Sequence, residues 1–118
     1  MIRIYVNYAA SHPALHKIIL QESSYPSSRL EWLSENFLRP ISEGASGYIA
    51  ELQQKGVSPS GNPALIYNML RVCSGGLIAL SQELKITSNI DLTSQSSLDE
   101  LTDLIVQAFL PGEYQETF

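Results

Sequence analysis

The stretch NPALIYNMLRVCSGGLIALSQEL, residues 62–84, decides the fold class. Asn62 suits a helix N-cap, and Pro63 suits the first turn, where its missing N–H has no intrahelical partner to lose. Beyond them Leu65, Met69, Val72, Cys73, Gly76 and Leu80 form one apolar stripe at helical spacing. Ile66, Leu70, Leu77 and Leu84 widen it to a second. A helix that is apolar over more than one face is buried from more than one side. The spacing predicts a single helix from Pro63 to about Leu84 at the centre of a bundle.

The same periodicity continues in both directions. On the C-terminal side, residues 85–96 are rich in Ser, Thr and Asn and are expected to be a loop. Ser97-Leu98-Asp99-Glu100 is a capping box, in which serine oxygen and glutamate satisfy orphan backbone N–H groups. Its helix carries Leu98, Leu101, Leu104, Ile105, Ala108 and Phe109, and Pro111-Gly112 stops it. The tail, residues 113–118, is expected to be loose.

On the N-terminal side, Ile2, Tyr5, Val6 and Ala9 share one helical face. Ser11-His12-Pro13 interrupts that helix, since Pro13 disfavours helical geometry at His12. Pro13 then opens a helix carrying Leu15, Ile18 and Ile19. After a loop around Pro26, Ser28-Arg29-Leu30-Glu31 forms another capping box, and its helix places Leu30, Leu33, Phe37 and Leu38 at core spacing. Pro40 has no N–H for the Asn36 carbonyl and clashes with it, so a kink or break is expected there. Helical pattern resumes through Ile41, Ala45, Tyr48, Ile49 and Leu52, and ends at Lys55-Gly56. Gly44 and Gly47 weaken this helix. No strand pattern extends beyond residues 85–87. Five to six helices joined by short loops make an all-α helical bundle, with one domain over residues 1–112.

Composition narrows the function. Seven Lys and Arg against twelve Asp and Glu give a net charge of -5, and the cations are scattered without a basic stripe. Nucleic-acid affinity rests largely on cations set against phosphates, so this chain is not expected to bind DNA or RNA. No apolar run approaches the ~20 residues of a membrane span. One cysteine, Cys73, cannot pair within the chain, which fits a cytoplasmic protein.

Signs of catalysis are sparse. His12 and His16 stand at i, i+4, a spacing that can present two imidazoles to a metal. No acidic partner accompanies them, so surface or pocket-lining histidines are expected and no metal or cofactor is assigned. Cys73 lies mid-stripe and is expected to be a small core residue. Ser74-Gly75-Gly76-Leu77 lies inside a helix without the lysine of a phosphate loop; its glycines let another helix approach closely. What remains is aromatic. An apolar pocket among the first four helices is expected, lined by some of Tyr8, His16, Trp32, Phe37, Tyr48 and Tyr67, with hydroxyls and an imidazole orienting a small ligand.

The segment from His12-Pro13-Ala14-Leu15 to Ser23 resembles one common in TetR-type transcriptional regulators, where a helix ends at a proline turn and a central helix begins. The order of later features is similar: Leu38-Arg39-Pro40, then Leu52 to Gly56, Asn62-Pro63-Ala64-Leu65, a Gly-containing helix, and a last helix reaching Phe109-Leu110-Pro111-Gly112. The likeness covers residues 1–112. It implies a C-terminal ligand-binding and dimerisation domain that senses a small, apolar effector. The last two long helices would form the homodimer interface, with Gly75, Gly76, Leu77, Leu101 and Ile105 as contacts. DNA would be met only through a helix-turn-helix domain upstream of Ile2, which this sequence does not contain. The competing expectations are a stand-alone helical interaction or adaptor protein and a helical enzyme.

Overall fold

Pro13 ends the first helix as the sequence requires. In the computed structural model, which describes residues 2–112, α1 spans Ile2–Ser11 and α2 spans Pro13–Ser23. His12 between them is non-helical at φ −132°, ψ 54°. Helix α3 (Ser28–Leu33) runs through a π turn, Ser34–Leu38, into α4 (Arg39–Gln54). Helix α5 (Pro63–Arg71) runs through a second π turn, Val72–Gly76, into the short α6 (Leu77–Ala79). Helices α7 (Ser81–Ser88) and α8 (Gln95–Phe109) follow. Joined through their π turns, these segments make six helical rods, with no strand among the described residues. The chain is an all-α helical bundle. The expected loose tail, residues 113–118, lies outside the described residues.

Four local details differ from the expectations. The caps sit upstream of both capping boxes: Ser27 Oγ accepts from the Leu30 N–H at 3.0 Å, and Ser94 Oγ accepts from the Ser97 N–H at 3.3 Å. In each case an earlier serine adopts the extended conformation that a cap needs, leaving the later one inside the first turn. Pro40 does not break its helix. The π turn before it lets the Arg39 N–H reach back to the Ser34 carbonyl, and the Asn36 side chain donates to the Trp32 carbonyl at 2.8 Å. The extra residue relieves the strain that a proline imposes on a regular helix.

The expected Pro63–Leu84 helix is bent instead by 77° at Leu80. Leu80 donates to Leu77 in a tight turn, and the polar α7 starts at Ser81. That helix then takes up residues 85–88 of the expected loop and ends at Asn89, left-handed at φ 55°.

The core gathers at one end. Val6 and Ala9 of α1 are fully buried, with Ile49, Leu52, Ile66, Leu70, Ile78, Leu98 and Ile105 from α4, α5, α6 and α8. Gly56, at φ 76°, ends α4: its N–H bonds the Gln53 carbonyl, and the Val57 N–H bonds that of Leu52 at 2.9 Å. This pair of hydrogen bonds closes the helix end, and both Val57 and Leu52 are buried, as such caps favour. The chain returns to the same place after α8. Leu110 is 1% exposed, and the Gly112 N–H bonds the Val57 carbonyl at 3.1 Å. A Cβ on Gly112 would lie 2.6 Å from Val57 Cα, so only glycine allows that approach.

Helix α4 packs along α5, whereas α1 and α2 pack on the second π turn, and α1 also on α8. A cleft is left between these two groups. The molecule is a slab 42 × 35 × 20 Å, about two helices thick. No single described helix is long and apolar enough to cross a membrane. Only the bent pair Pro63–Ala79 and Ser81–Ser88 reaches that apolarity together.

Candidate functional site

The cleft has two adjoining chambers. The larger holds about 350 Å³. Helix α1 contributes Ile2 and Tyr5 to its wall, and α4 contributes Ala45, Tyr48 and Ile49. The floor is Tyr67, Leu70, Arg71 and Ser74, spaced i, i+3, i+4 and i+7 along α5 and its π turn, with Ile105 of α8 behind them. The smaller chamber, about 190 Å³, lies between α2 (His16, Ile19, Leu20, Ser23) and Leu38 and Ile41. Gly75 and Gly76 line it from below. Both chambers share Tyr5, Tyr67 and Arg71.

Polar groups in this apolar setting are few. Ser74 Oγ donates to the Leu70 carbonyl at 2.7 Å, so its hydrogen is committed to its own helix. Burial pushes the Tyr5 phenol pKa up, and the Tyr67 phenol beside it acts in the same direction; Ser74 and the Arg71 charge oppose them. Both effects favour neutral Tyr5, a hydrogen-bond donor as well as acceptor. His16 lies over Gly75, where a Cβ would stand 2.5 Å from its Nδ1. Its Nε2 is buried without a hydrogen-bond partner. Burial lowers the His16 pKa, and His12 lowers it further, so the ring is held neutral.

The structure sorts the expected site residues. Tyr48 and Tyr67 line the larger chamber and His16 the smaller. Tyr8, Trp32 and Phe37 do not reach the cleft; all three are exposed, and Trp32 borders a separate open groove with Glu22, Arg29 and Leu33. Tyr8 stacks on His12 with ring centroids 4.3 Å apart. Trp32 and Phe37, 60% and 51% exposed, meet edge to face at 5.5 Å on the outer surface. The π turn is the cause: it brings residues five apart onto one side, whereas a regular helix would separate them.

Two of the expected dimer contacts, Gly75 and Ile105, need correction. Gly75 is buried under His16, so its missing side chain makes room within the chain rather than for a second subunit. Ile105 is 3% exposed and belongs to the core. Gly76 lines the smaller chamber, while Leu77 and Leu101 are half-buried against the core. Cys73 is half-buried beside them. Among the described residues no three His, Cys, Asp or Glu side chains come together in a way that could hold a metal.

Sequence reasoning missed Tyr5, Arg71 and Ser74. The signal for the last two was present: an arginine and a serine share a helical stripe with Tyr67 and Leu70. Tyr5 shares a helical face with Val6 and Ala9, but it stays partly exposed and lines both chambers.

No family model, curated protein or solved structure matches the chain.

Proposed function

We propose that this chain is a small-molecule-binding domain whose ligand occupies the cleft between α4 and α1–α2. The observation that carries this reading is the larger chamber: about 350 Å³, walled by aliphatic side chains and the tyrosines at 5, 48 and 67. That lies within the ~300–1,000 Å³ typical of ligand sites, which are mostly apolar with a few convergent polar groups. By the sequence resemblance, the domain acts as the effector-sensing and dimerising part of a TetR-like regulator. The π turn before Pro40 would let α4 shift when a ligand arrives, since α4 rests on α5 and not on α1 and α2. The exposed stripe Leu65, Met69 and Val72 is an apolar surface that a second subunit could cover.

The test is a thermal-shift screen of apolar and amphipathic compounds on the full chain. A ligand present at ~100 times its Kd adds ~2.7 kcal/mol, several degrees in Tm for a domain of this size. Tyr48→Ala should abolish the shift while circular dichroism remains helical. A screen in which no compound raises the Tm overturns the reading. A second reading, an interaction protein that takes a partner helix, is favoured by the exposed Trp32–Phe37 pair. The two separate cleanly, because Trp32→Ala would remove partner binding and leave small-molecule binding intact.

A further inference from the structure

Among the described residues, Arg71 is the one charged residue lining either chamber. It stands where both chambers meet and also borders a polar opening towards Ser42 and Arg39. Its side chain is half-buried, and among the described residues no carboxylate lies within 4.0 Å of it. The arginines at 3, 29 and 39, by contrast, pair with Asp99, Glu22 and Glu35. Arg71 donates no hydrogen bond to a described residue, while the tyrosines at 5 and 67 flank it in both chambers. The Arg71 guanidinium, which no described carboxylate neutralises, lines the cleft where an entering anion would meet it. Its planar fork of donors matches a carboxylate or phosphate, and such a pair strengthens where water is excluded.

We propose that the cleft selects an amphipathic anion, its apolar body in the larger chamber and its single carboxylate or phosphate head on Arg71. This rests on the ligand-binding reading above and adds the charge of the ligand to it. The aliphatic wall made by Ile2, Ile49, Leu70 and Ile105 takes the hydrocarbon, and the phenols of Tyr5 and Tyr67 complete the shell around the head. The His16 ring borders the smaller chamber beside the head, and its Nε2 is buried without a described hydrogen-bond partner.

Calorimetric titration of the full chain with decanoate, decyl phosphate and 1-decanol, all below micellar concentration, tests the proposal. The three share one tail and differ in the head. At least one anion should bind about tenfold or more tightly than decanol, the size of effect a charge-assisted pair gives. Whichever anion is preferred identifies the head. Arg71→Gln should erase that preference and leave decanol affinity within about twofold, while Arg71→Lys should retain part of it. Should Arg71→Gln fail to fold, the parent chain still decides: raising the salt should weaken the anions and not decanol. If decanol binds as tightly as both anions, the proposal fails while the apolar cleft stands. If none of the three binds, the proposal and the ligand-binding reading fall together.

Discussion

The two ends of this molecule follow opposite rules. At the closed end, the chain crosses itself: the α4 cap at Gly56 and Val57 meets Leu110 and Gly112 arriving from α8, with backbone bonded to backbone. At the open end, α2, α3 and the first π turn contain no buried residue at all. Apolar side chains are abundant at both ends, so hydrophobicity alone does not separate them. What differs is whether a second element returns to cover the first. The closed end is fastened by these contacts, whereas the open end keeps its apolar side chains partly exposed.

Substitution at the two ends is the sharpest way to break that contrast. Ile105→Glu, which places a carboxylate among Leu70, Ile2 and Ile49, should remove about 3–5 kcal/mol and unfold a marginal domain. It should do so as loss of helicity in urea and not as a clean dissociation of folded subunits. Trp32→Ala at the open end should change stability by no more than about 0.5 kcal/mol. Equal losses at the two positions would show that the open end is covered after all.

Next in size is Leu110→Ala, which opens a cavity under the α8 terminus and should cost about 2–5 kcal/mol. Gly75→Ala tests the boundary between the ends. A methyl there meets the His16 ring and must displace it, and overpacking of this kind costs roughly 1–3 kcal/mol. The His16 ring resonances should shift while those of Leu110 stay in place. A silent substitution would mean that α2 is not seated on the second π turn.

The smallest effect is titration. His16 has its folded-state pKa lowered by burial, so the unfolded chain binds more protons as pH falls through about 6.5. Stability should therefore be unaffected by His16 above pH 7 and decline as acid is added below it. Tm measured between pH 7.5 and 5.5 should fall less in His16→Gln than in the parent. An identical fall would assign the acid sensitivity to other groups.

Much of the fold was legible because its signals are local. Pro13, the Asn62-Pro63 start, the Gly56 stop and the Pro111-Gly112 end act through the backbone of their own neighbours, and each stands where the sequence puts it. Local signals failed where two candidates competed, as when Ser27 and Ser94 capped helices in place of Ser28 and Ser97. The candidate site was legible in part. Tyr48, Tyr67 and His16 carried over because their helices keep a regular phase up to the point where they face the cleft. Trp32 and Phe37 were misplaced because the π turn between them changes that phase. Tyr5 and Arg71 went unread because their chemistry depends on each other's proximity across helices.

The sequence by itself determined that this chain is a helical bundle and where most of its helices start and stop. Those outcomes follow from steric and hydrogen-bonding limits within a few residues. The tertiary structure decided which apolar faces are covered and which remain open. It turned Gly75 from a surface contact into the seat of His16, moved Ile105 into the core, and set Arg71 with two tyrosines at the junction of the two chambers. Burial and pairing are properties of residues far apart in the chain, and helical periodicity reports which face is apolar without saying what will lie against it.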